Sequence, residues 1–339
     1  MNRKTILLLI LVLLLGIAYW FISKKNWSTT LKQVDEFAIK DTGAVTKIFM
    51  ASKNGYKILL ERQPDNSWTF NNKGIADEPK VRMLLETLHD MQIQSPVAPS
   101  MHNGVIGILA SRGIKTEIYE GDRLIKTIYV GSETPEKIGT YMLLEGSDQA
   151  YALHIPGFVG YLTPRFILDE IKWRSKFVFN EDDKSILSLK VNYPENQEAS
   201  FIYDKETFQK QGAIQNLKGN LIKVDTQMVK FYLSGFKNLY VEGYYDEFTF
   251  TVHDRDSLLK MNPFCEIELK NTGNKTTLLT VYAKAIGRRS KQQFDENNKA
   301  LKLDPEKYYA LVNKYPAVAS IQDYNFGRLF KKLSELTKK

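Results

Sequence analysis

Residues Thr5 to Ile22 (TILLLILVLLLGIAYWFI) form an apolar run without a charge, bracketed by Arg3 and Lys4 before it and Lys24 and Lys25 after it. As a helix, these residues rise about 27 Å against a hydrocarbon core of about 30 Å. The basic residues can snorkel, and Tyr19, Trp20 and Phe21 suit an interfacial belt. The pattern predicts a signal anchor over residues 1–25, with membrane lipid as the partner of residues 5–22. A cleaved signal peptide is the competing reading, although its small residues, Gly16 and Ala18, fall inside the run. Positive charge stands on both sides, so charge alone does not orient the segment.

Beyond a linker at 26–41, the apolar positions alternate in short stretches. Val45–Ala51 and Tyr56–Glu61 read as strands joined by a turn at Asn54-Gly55, and Ser67–Asn71 as a third. Asp77-Glu78-Pro79 opens a helix with Val81, Leu84, Leu85, Leu88 and Met91 on one face. The same order returns later. VRMLLETLHDM (81–91) aligns without gaps with VKFYLSGFKNL (229–239). Strand 114–120 matches 265–271, and LIKTIYV (124–130) matches TLLTVYA (277–283). These matches predict a duplication. The expected fold class is α+β: a transmembrane helix, then two repeated units of mostly antiparallel sheet with helices on one face. The units are expected at 42–180, including a connector, and at 181–339.

Composition supports a folded chain, with 43% hydrophobic and 25% charged residues among 339. A single cysteine, Cys265, excludes an intramolecular disulfide and a two-cysteine redox motif. The net charge of +8 includes four uncompensated basic residues in positions 1–25, and the remainder is too dilute for a nucleic-acid footprint. No nucleic-acid partner is expected.

Catalytic signatures are missing from the sequence. The histidines, at 89, 102, 154 and 253, have no metal-ligand spacing, and His102 and His253 are read as capping or turn residues ahead of two equivalent helices. No GxSxG, Walker A or GxGxxG pattern occurs. The Ser-x-x-Lys spacing occurs at Ser234–Lys237 and Ser257–Lys260, about as often as 18 serines and 36 lysines produce by chance. The residues therefore predict no catalytic residue, no metal and no cofactor. The least regular stretch is 150–179, where Pro, Gly, aromatics and arginines concentrate. It supplies a candidate interaction surface of His154, Phe158, Tyr161, Arg165, Trp173 and Arg174, because aromatics and arginine dominate binding hot spots. The competing reading is a packed connector.

VDEFAIKDTGAVTKIFM (34–50), LLERQPDNSWTFN (59–71), YVGSETPEKIGTYMLL (129–144), HIPGFVGYLTPRF (154–166) and KWRS (172–175) resemble a Bacteroidota family known as domain of unknown function 4340. LDPEKYYALVN (303–313) and QDYNFGRLF (322–330) are similar to that family's closing segment. The family has no assigned activity, so the resemblance assigns no catalytic residue. Relatives encoded beside gliding-motility-type ABC transporters imply an envelope role. The expectation is a single-pass inner-membrane protein with its soluble part in the periplasm. It would act as a non-enzymatic scaffold or accessory subunit, with a protein partner in an inner-membrane assembly such as an ABC-type transporter. The alternative is an envelope hydrolase or carbohydrate-processing enzyme.

Overall fold

The structure, a computed structural model, describes residues 37–337 apart from 247, 289 and 314. The apolar run 5–22 and the anchor expected there lie outside the described residues. Among those described, no helix is long and apolar enough to cross a membrane. The chain divides between Glu170 and Ile171 into two compact units.

The first unit opens with β1 (Lys47–Ala51), β2 (Lys57–Arg62), β3 (Trp68–Phe70) and β4 (Gly74–Ile75). The turn between β1 and β2 uses Gly55 at φ +85°, a left-handed geometry that glycine adopts without a Cβ penalty. Helix α1 (Glu78–Asp90) follows, its first turn capped by the Asp77 carboxylate and started by Pro79. Its apolar stripe buries Val81, Leu84 and Leu88. Then come β5 (Gln92–Pro96), α2 (Pro99–Arg112), β6 (Ile114–Glu120), β7 (Arg123–Glu133), β8 (Thr140–Leu144) and β9 (Tyr151–His154). The nine strands form one antiparallel sheet in the order β4-β3-β2-β1-β6-β7-β8-β9-β5.

The second unit begins with β10 (Phe177–Phe179). It continues through β11 (Ile186–Asn192), β12 (Phe201–Asp204), α3 (Lys205–Gln211), β13 (Ala213–Gln215) and β14 (Leu221–Lys223). Helix α4 (Thr226–Ser234), β15 (Leu239–Tyr240), β16 (Gly243–Tyr244) and α5 (Val252–Leu259) follow, then β17 (Cys265–Asn271), β18 (Thr276–Ala285), β19 (Leu303–Val312) and β20 (Ala319–Gln322). Its large sheet runs β14-β13-β12-β11-β17-β18-β19-β20-β16. Strand for strand, this is the order of the first sheet. Helices α1 and α4 fall at the same point of the two topologies, as do α2 and α5. Nine strands repeating one non-sequential order, with strand β5 or β16 crossing to the far edge, mark two copies of one fold.

Two expectations are corrected. In the second unit, helices occupy both faces of the sheet rather than one. Val229, Leu233 and Phe236 from the α4 region pack in the main core with Leu279 and Val281 of β18. Leu258 of α5 packs with Tyr282, which alternates with them and therefore faces the other way. In the first unit, Val105 and Leu109 of α2 pack with Tyr129 and Tyr141. Consecutive burial of Leu279, Thr280, Val281 and Tyr282 is the trace of a strand covered on both sides.

The second correction concerns register. Ile114 stands opposite Val130, whereas Cys265 stands opposite Val281. If β6 superposes on β17 at those residues, Val130 corresponds to Val281 and not to Ala283. The ungapped match of 124–130 to 277–283 is therefore two residues out. A slip of two keeps every side chain on its face, so hydrophobic pattern cannot detect it.

Candidate functional site

In the first unit, the segment after β9 is strapped onto its own sheet. His154 is half-buried and pairs with Gln92 at the sheet edge. The chain then turns through Gly157 at φ +80° and Gly160 at φ +144°. The Leu162 amide donates to Thr140 Oγ1 at 2.6 Å, and Thr163 Oγ1 donates to the Gly131 carbonyl at 2.7 Å. These bonds seat the buried Leu162 and Phe166. Arg165 comes back over the turn, its guanidinium carbon 4.4 Å from the centroid of the Phe158 ring, and its Nη1 donates to Thr87 Oγ1 at 3.0 Å. Phe158 is partly exposed, Val159 is 88% exposed and Tyr161 is half-buried.

In the second unit, Trp173 is fully buried and Arg174 is 9% exposed. The Arg174 guanidinium lies against the rings of Tyr315 and Tyr244, at 3.3 Å and 5.1 Å from their centroids. Tyr244 donates its hydroxyl to the Ser175 carbonyl at 3.1 Å. The structure thus joins Phe158 to Arg165, and joins Arg174 to two tyrosines that sequence reasoning did not single out. No signal marked Tyr244 or Tyr315, whose spacing from Arg174 follows no local period.

The histidines do not cap. His102 and His253 lie inside the first turns of α2 and α5 rather than ahead of them. The N-terminus of α5 is closed instead by a reciprocal box between Thr251 and Asp254, while α2 starts on Pro99 without a side-chain cap. His102 borders a shallow hollow of about 280 Å³ with Val97, Pro99, Asn103, Asp148 and Gln149. Among the described residues, no group of three or more His, Cys, Asp or Glu is placed to hold a metal ion. Ser234 donates to the Phe231 carbonyl and Lys237 pairs with Asp182 at 2.9 Å, so this Ser-x-x-Lys pair serves structural ends.

Shifted titratable groups follow from packing. Burial pushes the Cys265 thiol up to about 12, against the opposing pull of the Tyr193 hydroxyl. Burial likewise raises the Tyr193 and Tyr232 hydroxyls, whose protons go to the carbonyls of Lys331 and Leu329. Burial of Glu242 works against ionisation, but hydrogen bonds from Lys307, Ser320 and Gln322 hold its carboxyl below the ordinary value.

Comparison with curated proteins and with solved structures returned no match. A family model described as a domain of unknown function, DUF4340, matches residues 68–259. The matched stretch runs from β3 of the first unit to the last residue of α5 in the second, so it takes in parts of both copies of the fold. Since it covers more than half of the chain, the protein belongs to the DUF4340 family.

Proposed function

We propose that this protein is a membrane-anchored, periplasm-facing accessory module that scaffolds an inner-membrane assembly such as an ABC-type transporter. The observation that carries the proposal is the joining of a charge-free, basic-flanked run at 5–22 to two copies of one large antiparallel fold. Such a chain has the makeup of a tethered platform. The disposition of polar side chains agrees with it. Asp246 and Asp254 accept from Thr249 and Thr251, which closes a turn and a helix end. Glu242 ties Lys307 to Ser320 across neighbouring strands. These carboxylates hold backbone and neighbours in place.

The test is a fusion of a reporter that is active only outside the cytoplasm, placed after Lys339, in cells that carry the full-length chain. Activity in the membrane fraction is expected. Activity confined to a cytoplasm-dependent reporter, or release of the chain by washing membranes at high pH, overturns the proposal.

A further inference from the structure

The duplicated fold provides an internal comparison. In the first unit, β7 and β8 are joined by residues 134–139, a compact turn closed by the Thr134 amide on the Gly139 carbonyl at 2.9 Å. In the second unit, the equivalent strands β18 and β19 are joined by residues 286–302. This longer connection is an ordered hairpin arm. Ile286 donates to the Lys302 carbonyl at 3.1 Å, Leu301 to Gln293 at 2.9 Å, and Asp295 to Lys299 at 2.9 Å. At the tip, the Asp295 carboxylate accepts the amides of Asn297 and Lys299, and Asn298 takes φ +58°. At the base, Ser290 Oγ donates to the buried Asp304 carboxylate at 2.7 Å.

The arm concentrates charge. Residues 286–302 hold five basic residues (Arg288, Arg289, Lys291, Lys299 and Lys302) and two acidic ones (Asp295 and Glu296). With the four basic residues of the N-terminal 25 also set aside, the rest of the chain carries 38 basic and 37 acidic residues. Three of the four excess positive charges beyond the N-terminal segment therefore sit in this one hairpin. Lys284 lies 4.0 Å from Asp304 at the base. Arg288, Lys291, Lys299 and Lys302 are exposed and form no ion pair among the described residues. Two apolar side chains stand among them, Phe294 at 52% and Leu303 at 53% exposure.

We infer that this arm is a second membrane contact, a basic and aromatic hairpin that docks on anionic phospholipid headgroups. Clustered lysines and arginines beside a bilayer are drawn to anionic lipid, and an exposed phenylalanine among them can enter the interface. An acidic protein would satisfy the charge but would leave Phe294 unexplained. The inference rests on the anchored reading above only in placing the arm beside a bilayer.

The test uses the full-length chain with Asn297→Cys carrying an environment-sensitive fluorophore; Cys265 is fully buried and escapes labelling. The chain is reconstituted in nanodiscs of phosphatidylcholine alone, or with about one-third phosphatidylglycerol. Expected is a blue-shifted emission at least about twofold brighter in the anionic discs, reversed by salt near 0.5 M. Reversing four charges (R288E, K291E, K299E and K302E) should abolish the response while the thermal midpoint holds. Equal emission in both discs, a response insensitive to salt, or a response to polyglutamate or duplex DNA without one to anionic lipid overturns the inference. Salt reversal is read on the unaltered charges, so the test survives a variant that fails to fold. Incorporation into the discs, read by size exclusion, tests the anchor separately. A chain that stays out of the discs, yet whose label answers to added anionic vesicles, sinks the anchored reading and keeps the arm.

Discussion

The Arg174 guanidinium carbon stands 3.3 Å from the centroid of the Tyr315 ring, with the Tyr244 ring 5.1 Å away. A buried cation is thus held against aromatic faces, while its Nε has no hydrogen-bond partner among the described residues. Guanidinium tolerates this because it is planar and weakly hydrated, and it keeps its attraction to the ring quadrupole in a dry setting.

Replacing Arg174 with Ala should therefore cost about 2–4 kcal/mol, the sum of a cavity and a desolvated cation–π contact. Arg174→Lys keeps the charge but not the planar stack and should recover less than half of the loss. Arg165→Ala should cost about 1 kcal/mol, because Arg165 is only half-buried and loses one hydrogen bond and one ring contact. Urea midpoints of the three variants provide the measurement. An Arg174→Ala chain as stable as Arg165→Ala would show that the aromatic contacts contribute little.

Asp304 makes stability depend on pH. Its burial alone would raise the carboxyl, but hydrogen bonds from Ser290 and from the amides of Glu306 and Lys307, with Lys284 nearby, hold it below the ordinary value. A depressed carboxyl contributes stability that is fully present above the unfolded value of about 4 and is lost as pH falls through the folded value. Wild type should therefore lose stability on acidification below about pH 4, and Asp304→Asn should start lower and lose less over the same range. Thermal midpoints of the two chains from pH 7 to pH 3 check this, and parallel curves would count against it.

Cys265 is a probe of opening. Its thiol is fully buried and pushed up to about 12, so neither access nor thiolate is present in the native state at pH 8. Alkylation by iodoacetamide should be at least about a thousandfold slower than in urea-unfolded chain, and its rate should rise with urea as the second unit opens. Rapid alkylation without denaturant would contradict the packing around Tyr193 and Tyr232.

Local features of the fold were legible in the sequence, and long-range ones were not. Val81, Leu84 and Leu88 announce α1 because a helix writes its buried face at intervals of three and four. The second copy was legible for the same reason, through Val229 and Leu233. The faces of the second sheet were misread, because Tyr282 looks like strand interior whichever side it buries. Only the placement of Leu258 reveals a second covered face. Of the candidate site, Arg174 was visible as an arginine in an irregular stretch, but its partners were not. Tyr244 and Tyr315 come from distant parts of the chain, and contact at that separation leaves no local period. The hairpin arm was not legible: its charge looks dilute when averaged along the chain, and no strand pattern marks the connection itself.

The matched helices offer a last prediction. Asp77 and Asp225 cap α1 and α4 and are separated by the same interval that relates the two helical sequences. Their caps differ in quality. Asp225 Oδ1 accepts two amides, from Gln227 at 2.9 Å and Met228 at 3.1 Å. Asp77 Oδ1 accepts one, from Lys80 at 3.3 Å, and its other oxygen pairs with the Lys80 ammonium, also at 3.3 Å. Loss of a capping carboxylate costs about 0.5–2 kcal/mol, with the number and length of the accepted bonds setting the position in that range. Partly exposed ion pairs add little. Asp225→Ala should therefore cost about 1–2 kcal/mol and Asp77→Ala about 0.5–1 kcal/mol. Asn at either position should restore most of the stability, since its side-chain oxygen accepts the same amides without the charge. Equilibrium denaturation of the four variants decides it: a larger loss at Asp77, or no rescue by Asn at Asp225, would mean that something other than the accepted amides governs these helix starts.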